Sequence, residues 1–336
     1  MINVSVVITC YNKGKYVNDA INSVLNQTIR PLEVIVIDDF SDDDSKSAIM
    51  KFGNNVKLFS KDKNTGVLDS TLIGIDFCKG DIVSFLDADD LWSVNKIEKI
   101  ISEFNDQNCI FVSHAHETIN DNYQVIDIKD ATHKNIQKIF ESFRNDTLKI
   151  SNEIKDSLLN FKGIWLGSAY SIRRSCFCVP EFRGMLEARL DNYKINDFYQ
   201  DHPIAIYLAL KYNENKYIFK VINEPLFKYR IHNNNYSGSV NSLGKALAVL
   251  RRYEATIQLI QTIALKLGKS ATLLNSTTKA LKVTEHLWLL YDGRPFRAIS
   301  KLFENSNHFE FNKICKEIIR CSLWLILGRN LYFRMK

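Results

Sequence analysis

Between residues 4 and 113, short β-branched apolar runs alternate with amphipathic stretches, and this order restricts the fold of the 336-residue chain more than any other feature. Val4-Ser5-Val6-Val7-Ile8-Thr9 reads as a strand buried on both faces. Val17, Ala20, Ile21, Val24 and Leu25 follow at the i, i+3, i+4, i+7, i+8 spacing of one helical face, with Asn12 placed as its cap. LEVIVID (32–38) gives a second strand, after which Ser41 or Asp42 is expected to cap a helix. VKLFS (56–60) is a third strand, and Leu68, Leu72 and Ile75 mark the next helical face. IVSFLD (82–87) is the fourth strand, and Ser93 then caps a helix with Ile97, Ile100, Ile101 and Phe104 inward. CIFVS (109–113) is the fifth. A βαβαβαβαβ order predicts an α/β fold with a doubly wound, mostly parallel sheet and right-handed crossovers.

In such sheets ligands bind outside the carboxyl ends of the strands. Polar residues gather at those ends: Thr9-Cys10-Tyr11-Asn12, Asp38-Asp39, and Asp87-Ala88-Asp89-Asp90 within VSFLDADDLW. Carboxylates this close repel and raise one another's pKa, so a divalent cation with oxygen ligands is the natural reason for crowding them. An aspartate cluster alone is more often a solvated turn; beside Asp38-Asp39 and Tyr11 on one edge, the functional reading is preferred. The first strand is not followed by G-x-G-x-x-G, and no G-x-x-x-x-G-K-[ST] occurs, which argues against the usual dinucleotide and P-loop sites. A diphosphate can instead be neutralised by a metal held on one or two carboxylates. Asp42, Asp43 and Asp44 read as helix N-terminal charges. His114 and His116 share one face of a strand end, but two ligands are too few for a metal site, and packed histidines are the preferred reading.

At 46% hydrophobic and 24% charged residues the composition is that of an ordinary globular chain. Charge is uneven: residues 241–336 carry 16 Lys+Arg and 6 Asp+Glu, a net +10, against −4 for residues 1–240. Two modules are therefore expected, 1–240 and a basic helical 241–336, with 129–162 as a helical insertion or lid. Seven irregularly spaced cysteines suggest reduced thiols, the N-terminus shows no secretory pattern, and no apolar run reaches a membrane-spanning length. A cytoplasmic protein is expected. In the tail (313–336), Ile314, Ile318, Cys321 and Leu325 lie at helical spacing beside Trp324, Phe333 and six basic residues. Two readings stand: an amphipathic helix on an anionic inner membrane surface, or a terminal helix packed on its own domain or in a homo-oligomer interface.

VSVVITCYNKGKYVNDAINSVLNQT, LEVIVIDDFSDDDS, NTGVLDSTLIGIDFCKGDIVSFLDADDLW, GSAYSIRRS, YQDHPIAIYLAL and YRIHNNNYS occur in an order that resembles the family 2 glycosyltransferases of the GT-A fold, over most of residues 1–240. The resemblance implies an inverting transfer of sugar from a nucleotide sugar, of the UDP class, to an acceptor hydroxyl. It also implies a bacterial surface-polysaccharide pathway such as lipopolysaccharide, O-antigen or capsule, with a glycan or lipid-linked glycan as acceptor and Mn²⁺ or Mg²⁺ as cofactor. Position by position, it places Thr9 and Tyr11 beside the base, with Asp39 accepting hydrogen bonds from it. Asp87-Ala88-Asp89 becomes the D-x-D motif: Asp89 is the foremost metal ligand with Asp87 as a second, and Asp87 and Asp90 lie nearer ribose and sugar. Asp201 becomes the general base, with Asp191 and Asp197 as rivals, and His232 approaches the diphosphate or metal. Two departures stand out: Thr71 occupies a place where members often carry Arg, leaving Lys13 or Arg230 to supply the phosphate contact. Gln200 replaces the usual Glu before the base, which should make Asp201 more acidic. A non-catalytic nucleotide- or glycan-binding scaffold is the alternative; a nucleic-acid module is not expected, since no recognition motif is present.

Overall fold

The computed structural model describes residues 2–126, 131–142, 146–160, 164, 167–232, 235, 242–268, 271–308 and 311–334. It divides into two compact units, Met1–Ile231 and His232–Lys336.

The first unit is built on one sheet. Its strands are β1 (Val4–Cys10), β2 (Glu33–Asp38), β3 (Lys57–Ser60), β4 (Ile82–Asp87), β5 (Leu91–Trp92), β6 (Cys109–Ile119), β7 (Val125–Ile126), β8 (Ser171–Arg173) and β9 (Ile218–Arg230), in the order β3-β2-β1-β4-β8-β6-β9-β5, with β7 on β6. The β3-β2-β1-β4 half is parallel, as the alternation predicts. Short β8 enters antiparallel between β4 and β6, and β6 pairs parallel with β9. The helices α1 (Val17–Leu25), α2 (Ser45–Met50), α3 (Gly66–Phe77) and α4 (Lys96–Phe104) connect the strands. Val4, Val6, Ile8 and Cys10 of β1 share a core with Val17, Ala20, Ile21 and Val24 of α1 and with Ile97, Ile100 and Phe104 of α4. On the other face α3 presses against β1 so closely that a Cβ at Gly74 would lie 2.4 Å from Val7 Cγ1. This is an α/β fold on a sheet with a parallel half, followed by a helical region.

The expected caps are not the observed ones. Asn12, at φ +52°, accepts the Asp42 N–H (3.0 Å) while its own N–H donates to Ser41 (2.9 Å), so it ties two loops together. At α2 the carboxylate of Asp43 takes the N–H groups of Ser45 (2.8 Å) and Gly14 (2.9 Å). Ser93 donates to the Pro225 carbonyl (3.0 Å), and α4 starts after Asn95. Pro225 does not end β9: the ladder slips, Ile222 facing His114 and Pro225 facing Ala115, which spares the ring a ladder hydrogen bond. The fifth strand runs on to Ile119, so His114 and His116 lie mid-strand, buried, against the Phe227 ring.

Within residues 129–162 two helices are described, α5 (Ala131–Ser142) and α6 (Thr147–Leu159); residues 129, 130, 143–145, 161 and 162, including Phe143, lie outside the described residues. α6 is fastened to the body: Ile154 and Leu158 are buried, Ser151 Oγ accepts the Phe219 N–H (2.9 Å), and Lys155 donates to the carbonyls of Tyr217 (2.8 Å) and Glu214 (3.3 Å). Such anchoring is unlike a lid. α7 (Val179–Glu187) and α8 (Asp201–Lys211) complete the unit, α8 entering the core with everything from Pro203 to Leu210 buried.

The second unit contains α9 (Leu243–Lys266), α10 (Ala271–Tyr291), α11 (Pro295–Glu304) and α12 (Phe311–Arg334) around Ala246, Leu250, Leu290, Tyr291, Ala298, Cys321 and Trp324. Cys321 and Trp324 of the tail thus face inward, the indole against the Tyr291 ring at 5.9 Å. The Phe333 side chain lies outside the described residues. No described helix is long and apolar enough to cross a membrane.

Candidate active site

The parallel register puts Cys10 beside Asp38 and Thr9 beside Asp87, so the ends of β1, β2 and β4 form one edge. Tyr11 stands on that edge 47% exposed. The Thr9 hydroxyl donates to Asp87 Oδ1 (3.2 Å), and Gln200 Nε2, from the turn into α8, donates to the same oxygen (3.2 Å). No described hydrogen bond reaches Asp87 Oδ2. It faces the backbone of Gly167, where an added Cβ would come within 3.4 Å. Burial first, and then the neighbouring charge of Asp89, push the Asp87 carboxyl up to about 7.

Asp89 is paired with Lys13 on the α1 approach, Nζ to Oδ2 2.7 Å. Asp90 turns inward at 2% exposure, and both its oxygens are engaged: Oδ2 by the Ser168 hydroxyl (2.6 Å) and Oδ1 by the Arg230 N–H (3.0 Å). Burial and the charges of Asp89 and Asp87 drive its pKa well up. Arg230, 1% exposed, donates from Nε to the Asp89 carbonyl (3.0 Å), its guanidinium lying 5.1 Å from the Tyr16 ring and 4.6 Å from the Tyr123 ring. The structure therefore places Asp90 and Arg230 behind the aspartate loop, as its supports.

Asp39 is also heavily engaged. Oδ1 accepts from the Thr65 N–H (2.9 Å) and Lys61 (2.7 Å), and Oδ2 from the Gly66 N–H (2.8 Å), which fixes the start of α3. With two lone pairs per oxygen, Oδ2 retains one position for a further donor. Asp201 opens α8. Its Oδ1 accepts the His202 N–H (2.9 Å) and lies 3.5 Å from His202 Nδ1. Burial raises its pKa, but the His202 imidazolium and N–H outweigh it and the carboxyl ends below its ordinary value. Burial lowers the pKa of His202, Asp201 overrides it, and the net direction is up. The lowering comes chiefly from His202, and Gln200 is not among its causes. Asp197 lies in a short turn (Ile195–Asp197) and accepts the Lys194 N–H (2.9 Å). His232 opens the second unit, its N–H on Asn235 Oδ1 at 2.5 Å.

The two departures from the family pattern touch each other. Thr71 Oγ1 contacts Gln200 Oε1, and Gln200 in turn reaches Asp87, so a neutral Thr71–Gln200 pair is linked to Asp87 and Thr9 along the floor of the site. Three buried residues around the site are not among the residues expected from the sequence. Ser168 accepts the Asp87 N–H (2.9 Å) while donating to Asp90, which locks the loop from below. Fully buried Lys96 donates to the Ser168 carbonyl (2.6 Å) and lies 3.9 Å from the Trp92 ring, its pKa driven down by burial against the pull of Asp90. Its signal was available: Lys96, Ile100 and Phe104 form an i, i+4, i+8 stripe, and a lysine on a buried stripe asks for a partner. Tyr170, stacked on Phe85 at 4.5 Å, holds a buried hydroxyl without a described partner. Ser168→Ala is expected to cost roughly 1–3 kcal/mol by leaving the Asp87 N–H and the buried Asp90 carboxyl each short of a partner, read as a lower urea midpoint with unchanged m.

As a cation site, the edge offers Asp87 Oδ2 and the Asp89 carboxylate, both hard oxygen donors. No group of three or more His, Cys, Asp or Glu among the described residues could hold a metal unaided. The donors fit a cation held by one or two carboxylates and completed by phosphate oxygens and water.

The family model of Glycosyl transferase family 2 matches residues 5–164. An uncharacterized glycosyltransferase of Nostoc sp. is 33% identical over 129 residues, 38% of this chain and 40% of that protein. The Escherichia coli UDP-Glc:alpha-D-GlcNAc-diphosphoundecaprenol beta-1,3-glucosyltransferase WfgD is 32% identical over 120 residues, 35% of this chain and 47% of that protein. The chain thus spans less than half the length of either relative. Among solved structures S. aureus TarS aligns over 99% of this chain and 54% of its own, with TM-score 0.51 and 14% identity, a likeness of fold. The β-strand edge and its aspartate loop lie inside the segment that matches Glycosyl transferase family 2.

Proposed function

We propose that the chain transfers a sugar from a UDP-sugar to an acceptor hydroxyl, with inversion, in the synthesis of a cell-surface polysaccharide such as lipopolysaccharide, O-antigen or capsule. The observation that carries this reading is the meeting of Asp87 with Gln200, beside Asp201, which joins the D-x-D loop to the first turn of α8 across more than a hundred residues. WfgD, by its description, uses a UDP-sugar and a diphosphoundecaprenol-linked acceptor, and chemistry of that class suits this edge.

Asp201 is the base that takes the acceptor proton. Its depressed pKa keeps it ionised at neutral pH, and His202 stands ready to stabilise it. Tyr11 offers an exposed ring for the base to stack on, and Asp39 Oδ2 one acceptor position. Lys13 brings a positive charge to where the diphosphate would leave. Asp89, with Asp87 as second donor, would hold Mn²⁺ or Mg²⁺, which when bound neutralises charge on the departing diphosphate. A neutral Gln200 beside Asp87 spares the site a further anion.

The test is thermal stability against a panel of nucleotides and UDP-sugars, with and without Mn²⁺. A ligand at about 100 times its Kd should stabilise the fold by ~2.7 kcal/mol. A metal-dependent shift with UDP, absent in Asp89→Ala, is the expected result. No shift with any nucleotide, together with no sugar transfer by the parent chain, would favour the non-catalytic scaffold.

A further inference from the structure

In the second unit two helices in contact, α11 and α12, carry exposed apolar side chains. Ala298 and Leu302 turn α11 into the core, so its opposite face looks outward, with Phe296 75% and Phe303 55% exposed. On α12 the inward residues are Cys321 and Trp324, leaving Ile319 at 58% and Leu323 at 41% exposure. Lys313, Lys316, Arg320 and Leu323 recur at three- and four-residue spacing and so share one helical face, with Ile319 on its margin. Two nearly bare phenylalanines seven residues apart on one short helix are uncommon for a surface facing only water.

The charge left unpaired beside these residues has one sign. Within the unit Asp292 is paired with Arg294, Glu285 with Lys282 and Lys301, Glu304 with Lys301, and Glu317 with Arg320 and His286. No ion pair is described for Arg297, beside Phe296, or for Lys313 and Lys316. Glu254 of α9 has no described ion pair either, but among the described residues of α11 and α12 the unpaired charge is cationic.

We infer that the outward faces of α11 and α12 dock on an anionic lipid bilayer, Phe296, Phe303, Ile319 and Leu323 entering the headgroup boundary and Arg297, Lys313 and Lys316 meeting lipid phosphates. Charge complementarity selects this occupant: a second copy of the same face would bring the unpaired cations together. The surface differs from that expected of the tail alone, since α11 supplies its two most exposed aromatics and Cys321 and Trp324 take no part.

The test is co-sedimentation of the full chain with phosphatidylcholine vesicles, with and without phosphatidylglycerol; it needs no nucleotide sugar and is independent of transfer activity. Binding to the anionic vesicles alone, weakened by salt, is expected. A Phe296→Ser, Phe303→Ser double variant should lose at least about tenfold in partitioning, and Lys313→Ser with Lys316→Ser about fivefold per charge. All four sites are exposed, and unchanged circular dichroism and melting would show the variants folded. The inference is overturned by equal binding to neutral and anionic vesicles, by no binding, by binding that survives both double variants, or by light scattering that shows a dimer through this face and no vesicle binding.

Discussion

Asp201→Asn is expected to lower sugar transfer by about 10²–10⁴-fold while leaving the Mn²⁺-dependent stabilisation by UDP in place. The amide can still accept the His202 N–H that Asp201 Oδ1 takes at 2.9 Å, so the start of α8 should hold its geometry. What is lost is the proton acceptor. His202 also loses the carboxylate that raises its pKa, so the imidazole should titrate lower in the variant. That second readout, by NMR of the His202 ring, separates loss of a base from collapse of the site. A variant with parental turnover would remove Asp201 from the chemistry and leave Asp197 or Asp191 to be tried in its place. The rate loss should appear in kcat more than in KM for the donor, because Asp201 is proposed to act on the acceptor proton.

The parallel half of the sheet was legible because its signal is local. β1, β2 and β4 are apolar on both faces, α1 and α4 each present one buried stripe, and a strand end carrying Asp or Thr needs no distant partner to be noticed. The caps were not legible. Asn12, Ser41 and Ser93 have the right chemistry for capping, but their side chains are used between loops that only the tertiary fold brings together. β8 carries three residues and no periodicity, and its place between β4 and β6 is fixed by pairing with partners far away in the chain. The same reason hid the internal supports of the site. Ser168 lies 78 residues from Asp90 and Thr71 lies 129 from Gln200, so neither hydrogen bond leaves a trace in spacing. Once Thr71 and Gln200 are seen in contact, two separate departures from the family pattern become one change, a neutral pair where the pattern has Arg and Glu.

Asp87→Asn is expected to be inactive and yet more stable than the parent at pH 8 in the absence of ligand. The Asp87 carboxyl is raised by burial and by Asp89 to about 7, against an ordinary value near 4 in the unfolded chain. The folded state therefore holds this proton more tightly than the unfolded state. Stability tied to the group is intact below about pH 4, falls as the pH climbs to about 7, and is then fully lost. Three units correspond to roughly 4 kcal/mol as an upper bound on that penalty. Asparagine removes the titration and keeps an oxygen for the Thr9 and Gln200 donors. Melting curves of parent and variant should coincide near pH 4 and diverge above it, the variant leading by several degrees at pH 8. Mn²⁺ with UDP should close the gap, since a cation on the aspartates favours their charged form and only the parent has the full set. If the variant instead melts lower at every pH, the Asp87 carboxylate is stabilising as it stands, and the crowding of VSFLDADDLW imposes no cost for a metal to relieve.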